Sequence, residues 1–339
     1  MKYIIDIPPD LANKVNTLVS KGRYESLSEF ALVSFHNQLL LEGPATDSFN
    51  SDFGEGLNDE VPKPESASLL FKFNPEMIKT VAPPTDDKTP NDCLWGQYNR
   101  IFPIKITLRT LANLLKDDAT VELHILQSQA VYAAREIGLN LREEDEKNER
   151  KYGDMFSSAL PVGRRIARTE NRFVNDFVGN YTRAGRIEGA PGALKFLNII
   201  EEKDGSRKVG ITKAGRDFAA LQNPILDDKN YSMTLSKAES AFYIENVFKN
   251  LKREAQVMLS VLNEVNDGRS SPSELNQAMN QFSKGWSPAM INSIRAGAIS
   301  RLQELGLIKR NRKGINVRYS LTKFGKEILI AFRKEQGGA

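Results

Sequence analysis

Two stretches of this chain repeat one another, and the repeat limits the available folds more than any other feature. When residues 194–218 are laid against 302–328, Leu194, Leu197, Ile199 and Ile200 correspond to Leu302, Leu305, Leu307 and Ile308. Ile211-Thr212-Lys213 and Gly215 then correspond to Leu321-Thr322-Lys323 and Gly325, and the spacing differs by two residues inside the turn. Each copy reads as the end of a helix, two short strands and a new helix, with Asp204-Gly205 and Lys313-Gly314 as turns. Ahead of the first copy, Gly185, Gly189, Pro191 and Gly192 interrupt the place where a helix should lie. A helix over 169–182 followed by a separate short turn is expected there.

A chain of 339 residues is long enough for two or three domains. With 40% hydrophobic and 27% charged residues it has ordinary globular composition, which excludes wholesale disorder. The expected organisation is a strand and two helices in 1–42, a linker over 43–68, a first repeat-bearing module over 69–232, and a helical bridge with the second module over 233–339. Residues 43–68 are rich in Gly, Pro, Ser, Asp and Glu, and bury too little apolar surface to offset the entropy of ordering. Cys93 is the only cysteine, so an internal disulfide is excluded and a thiolate-rich zinc site is not expected. No run of apolar residues is long enough to span a membrane, and the start lacks a signal-peptide pattern, so a cytoplasmic protein is expected.

Charge is unevenly spread. Residues 1–150 carry 16 Lys+Arg against 24 Asp+Glu, residues 151–251 carry 16 against 12, and residues 252–339 carry 15 against 7. Positive potential is therefore concentrated towards the carboxyl end, where neutralising phosphates and releasing their counterions would favour nucleic acid.

Within 251–334 the helix signals are the clearest of the chain. A first helix over 251–265 is followed by Ser271-Pro272-Ser273-Glu274, an N-cap, a proline in the first turn and a glutamate three residues after the cap, so a second helix is expected there. Ser287-Pro288 opens a third helix in which Ile291, Ile294, Ala298, Leu302 and Leu305 share one arc and should face the core. The opposite arc holds Ala289, Ser293, Ala296 and Ser300, flanked by Asn292 and Gln303, whose amides can pair with base edges. Arg295 and Arg301 lie near the buried arc and within reach of a phosphate. The following hairpin crowds Lys309, Arg310, Arg312, Lys313 and Arg318 together, and Thr322 caps a closing helix. This pattern resembles the winged helix-turn-helix superfamily. The resemblance implies that the third helix enters the major groove of double-stranded DNA and that the hairpin, the wing, contacts the neighbouring backbone.

The first copy resembles a second winged helix, with Lys203, Arg207 and Lys208 on its hairpin and Arg164, Arg165, Arg168 and Arg172 as a phosphate cluster; the alternative is a scaffold that holds the other module. At the amino end, Tyr3, Ile5 and Ile7 alternate before Pro8, Leu11 and Val15 mark a helix, and Phe30 and Val33 mark another after Gly22-Arg23-Tyr24. Residues 2–42 resemble the ribbon-helix-helix family, which implies an intertwined homodimer through the strand. Lys2, Ile4 and Asp6 occupy the outer face of that strand, a departure from the basic or polar readers of the family.

No phosphate-binding glycine loop is present in the sequence and no local signature supports a hydrolytic triad or a metal site, so no catalysis, cofactor or metal is expected, and no effector can be named. The carboxylate run at Glu143, Glu144, Asp145, Glu146 and Glu149 is expected to be a solvated face. The expected fold is mainly α with small β-hairpins, a ribbon-helix-helix segment plus two winged-helix-like modules. The expected function is site-specific double-stranded DNA binding, as a dimeric transcriptional regulator or a plasmid-type replication or maintenance factor, which tandem winged helices also resemble. The alternative is a protein-interaction adaptor of a chromosome-organising or defence complex.

Overall fold

The computed structural model describes residues 13, 17 and 20 and, from 73 to 337, all but 87–93, 95, 116–117, 152, 164, 183–184, 280–281, 283, 285 and 314–315, with side chains as far as 333. The chain divides into units 1–62 and 63–339. In the first, Asn13, Thr17 and Ser20 are helical. Tyr3, Ile5, Ile7, Leu11, Val15, Phe30 and Val33, on which the expected dimer rests, and the linker over 43–68 lie outside the described residues.

The second unit is mainly helical, with small antiparallel sheets. Its elements are α1 (Phe102–Leu114), β1 (Val121–Glu122), α2 (Leu123–Lys147), α3 (Ile166–Phe173), a π turn (Val174–Val178), β2 (Asn180–Tyr181), β3 (Ile187–Glu188), α4 (Ala190–Ala193), β4 (Leu197–Glu201), β5 (Arg207–Ile211) and α5 (Lys213–Ala220). They continue as α6 (Pro224–Asp228), α7 (Lys237–Asn250), α8 (Lys252–Asn266), a 3-10 turn (Glu274–Met279), α9 (Pro288–Glu304), β6 (Ile308–Lys313), β7 (Asn316–Leu321) and α10 (Lys323–Gly337). One apolar core runs through both repeat copies. Among the described residues no helix is long and apolar enough to cross a membrane.

In each copy a threonine ties the hairpin to the helix that follows. Thr212 donates to the Phe196 carbonyl through its backbone N–H (3.0 Å) and its hydroxyl (3.1 Å), and the hydroxyl accepts from the Gly215 N–H at 3.1 Å. Thr322 repeats these bonds on the Leu307 carbonyl (3.0 and 3.2 Å) and the Gly325 N–H (2.9 Å). The helices pass so close to those carbonyls that a Cβ at Gly215 would fall 1.9 Å from the Phe196 oxygen, and one at Gly325 2.0 Å from that of Leu307. A third segment joins each hairpin at the same place: Val121 of β1 pairs with Val209, and the Tyr319 N–H donates to the Ser270 carbonyl at 2.9 Å.

These bonds correct the alignment read from apolar residues. Phe196 matches Leu307 and Leu194 matches Leu305, three residues further along, and the copies differ by one residue in the turn rather than two. The reason is that Ile199, a core residue, has Arg310 as its counterpart. Matching apolar with apolar therefore slides the first strand by nearly a helical turn.

Two other expectations change. The second helix after Ser271-Pro272 is a 3-10 turn, although its capping bonds form: the Glu274 carboxylate accepts from the N–H groups of Ser270 (3.0 Å) and Ser271 (2.8 Å). Those bonds, Ser271's first, hold the Glu274 carboxyl down to about 2. Its contribution to stability is present above the ordinary glutamate value and is lost as pH falls through that of the folded protein. The first copy has α3 and the π turn where a helix over 169–182 is expected, then the β2–β3 hairpin, and only the single turn α4 enters β4.

α1 is buried on every side from Phe102 to Ala112, with two cations included. The Lys105 Nζ donates to the carbonyls of Phe218 (2.6 Å) and Leu221 (2.7 Å) and pairs with the equally buried Glu239 at 2.8 Å. Burial draws its pKa down to about 8 against the pull of Glu239. The folded protein thus releases this proton before the unfolded chain does. The penalty of the buried charge persists below that pH and is relieved as pH rises towards the ordinary lysine value.

Candidate nucleic-acid interface

The β6–β7 register sorts the C-terminal hairpin into two faces, because directly paired residues project to the same side. Arg310 and Arg312 share a face with Tyr319 and Val317. The opposite face is Lys309, Asn311 and Lys313 paired with Ser320, Arg318 and Asn316, and all six are exposed. This face carries three cations, three neutral polar side chains and no carboxylate. Among the described residues Lys309, Lys313 and Arg318 make no ion pair, and Arg318 donates to the Ser270 hydroxyl at 3.3 Å.

Arg310 belongs to the fold instead. Its guanidinium pairs with Asp154 at 3.1 Å and lies 5.8 Å from the centre of the Tyr319 ring, and only 10% of the side chain is exposed. Asp154 also accepts from the Gln303 amide at 2.7 Å. This one carboxylate therefore binds the last turn of α9 to β6 and removes both Gln303 and Arg310 from the free surface.

α9 begins as the spacing predicts: the Ser287 hydroxyl accepts from the Met290 N–H at 3.2 Å, and Pro288 opens the helix. Ile294, Ala298, Leu302 and Leu305 are buried and Ile291 is half-buried. A second side is covered as well. Arg301, 1% exposed, pairs with Glu254 at 2.5 Å and donates to the Tyr98 carbonyl at 2.8 Å, so it is part of the core and not a phosphate contact. Glu304 accepts from the N–H groups of Ile101 (2.6 Å) and Phe102 (3.1 Å), capping α1 with negative charge where the helix dipole favours it. Burial raises the Glu304 pKa, with Arg100 opposing. Gly96 abuts Ser293 closely enough that a Cβ there would lie 2.2 Å from the serine hydroxyl. Arg295 donates to the Pro272 carbonyl.

What stays open on α9 is its first half. Ser287, Ala289, Asn292, Ser293 and Ala296 are exposed, whereas Ser300 and Gln303 are half-buried. Two turns of helix, about 12 Å, bear only small or amide side chains outward.

The first hairpin differs in charge. Lys203, Arg207 and Lys208 share residues 197–211 with Glu201, Glu202 and Asp204. Arg207 faces Glu201 at 3.7 Å, and Lys208 sits across the strand from Glu122. Lys203 is exposed, while Arg207 and Lys208 are half-buried. Residues 308–321 carry five cations and no acid, so the two copies have diverged in charge. Of the arginine cluster, Arg165, Arg168 and Arg172 are exposed on and just before α3, and Arg164 lies outside the described residues.

Asp154, Asn311, Asn316 and Ser320 are not singled out by the sequence. The last three follow from the strand alternation once the hairpin register is known; no local signal marks Asp154, whose partners lie about 150 residues away. The carboxylate run, whose first four members lie in the last turns of α2, is not uniformly solvated either. Asp145, 1% exposed, pairs with Arg150 and accepts from the N–H groups of Phe156 and Ser157, both at 2.9 Å, shaping the loop that presents Asp154. Among the described residues no group of His, Cys, Asp and Glu is placed to hold a metal ion.

Comparison with family models, with curated proteins and with solved structures finds no match.

Proposed function

We propose that residues 252–337 are a winged helix that binds double-stranded DNA, and that the protein is a site-specific DNA-binding factor of the transcription-regulator or plasmid-replication kind. In this reading α8, the 3-10 turn and α9 are the three helices and β6–β7 is the wing. The observation that carries it is the hairpin's outer face, three exposed cations set among Asn and Ser with no acid. Apart from the Arg318 bond to the Ser270 hydroxyl, such a face contributes little to folding, and it matches a row of phosphates. The exposed first half of α9 is slim enough for a major groove about 12 Å wide. Recognition helices of this general type read bases from their amino-terminal residues. Asn292, whose amide can bond adenine in two places, is the base reader in this account.

In this reading α9 is bolted to Tyr98, Ile101, Phe102, Asp154 and Glu254, and the first copy of the repeat, with its balanced hairpin and single-turn α4, is a structural module and not a second reader. The dimer through residues 1–42 rests on the sequence resemblance.

The test is selection of the full chain against a random duplex pool. One preferred site should emerge, and Asn292→Ala should relax the preference at one base position by about tenfold or more, within the roughly 1–3 kcal/mol that a bidentate contact supplies. A recovered pool that stays random while the protein captures other macromolecules would favour the adaptor reading.

A further inference from the structure

The basic surface on the other repeat-bearing region does not depend on its hairpin. Arg165, Arg168 and Arg172 follow one another at spacings of three and four, so they line one side of α3. All three are exposed, and of the residues in α3 only Phe173 is buried. The acids nearby are already engaged: Glu170 with Arg135 at 3.0 Å, and Asp176 with Arg172 at 3.2 Å. Among the described residues Arg165 and Arg168 make no ion pair. Arg142 of α2, half-exposed, donates to the Val162 carbonyl at 3.2 Å, which places a further guanidinium beside the segment leading into α3.

Folding alone does not explain this arrangement. Cations in the first turn of a helix oppose its dipole, and α3 has no acid there and no side-chain cap. The cationic side chains are all arginines, whose planar forks suit phosphate oxygens better than lysine does. From Arg165 to Arg172 the helix rises roughly 10 Å, about three base-pair steps of one DNA strand.

We propose that this arginine row is a second, sequence-blind contact to the DNA backbone, so that the chain grips the duplex at two separated surfaces. The inference rests on the DNA-binding reading above and adds to it a partner for α3. It assigns the row to phosphates, whose oxygens an arginine fork meets whatever the base sequence beside them.

The experiment compares full-length wild type, Arg165→Gln/Arg168→Gln, and Lys309→Glu/Lys313→Glu/Arg318→Glu on one duplex across a salt series. The arginine variant should bind about ten- to a hundredfold more weakly at low salt, equally on every sequence. The slope of log affinity against log salt should drop by about two, one for each phosphate no longer neutralised. Its thermal midpoint should hold or rise, since the substitutions relieve the clash with the dipole, so weaker binding cannot be laid to unfolding. An unchanged slope in the arginine variant, with binding still weakened on the order of a thousandfold in the hairpin variant, overturns the second surface and leaves the first intact. No duplex binding by wild type at any salt overturns both, and the arginine row would then suit an acidic protein.

Discussion

Lys309→Glu/Lys313→Glu/Arg318→Glu is expected to reduce duplex affinity on the order of a thousandfold at about 100 mM salt and to lower the salt slope by about three. Each reversal removes a phosphate contact and sets a like charge against the backbone. The fold should tolerate the change, because all three side chains are exposed and carry no ion pair among the described residues, and surface substitutions of that kind usually stay within about 0.5 kcal/mol each. Fluorescence anisotropy with a labelled duplex, beside a thermal melt, separates the two effects. Reversing Arg310 would be a poor substitute, since it breaks the Asp154 contact that joins hairpin and helix. Affinity within about threefold of wild type in the triple variant would mean that the hairpin's outer face does not meet DNA.

Arg301→Met should have the largest effect on stability, a loss of about 3–5 kcal/mol in urea unfolding, because it leaves the Glu254 carboxylate buried without the guanidinium that faces it. For a fold whose whole margin is roughly 5–15 kcal/mol this is a large share. Arg301→Met/Glu254→Gln should recover much of the loss, since no charge is then left buried at the site. A loss below about 1 kcal/mol in the single variant would show that the pair is solvated in solution. The same pair anchors the inner side of α9 to α8 and to the Tyr98 carbonyl, so the single variant also tests whether the helix proposed to meet DNA is held by the rest of the unit.

The parts of this fold that can be read from sequence are those set by local chemistry. Ser287, Thr212 and Thr322 cap the helices their positions predict, and the basic hairpin forms where the sequence expects one, although Lys313, expected in the turn, is the last residue of β6. What escapes such a reading depends on partners distant along the chain. Arg301 lies near the buried arc of its helix and Glu304 carries no local signal, and their partners lie 47 and about 200 residues away. Gln303 and Arg310 are drawn inward by Asp154, and Lys105 is buried in the middle of a helix by carbonyls and Glu239 from other elements. Charge predicts exposure only when no tertiary partner competes for it. The register of the repeat is hidden for a related reason: an arginine in the second copy stands where the first has a core isoleucine, so hydrophobic matching favours the wrong alignment.

Divergence between the copies also bears on function. Both keep the threonine tie, the glycine beneath it and the third segment on the hairpin, which are folding features. Only the second has shed every acid from its hairpin and kept a long helix ahead of it. The retained features explain stability in both; the differing ones single out the surface with another use.

The most direct measurement is the affinity of the full-length wild-type protein for a duplex of about 30 base pairs between about 50 and 300 mM salt. Three contacts from the hairpin and two from α3 imply a log–log slope of about −4 to −5, at roughly −0.9 per neutralised phosphate. A slope near zero, or no binding at the lowest salt, would contradict the account.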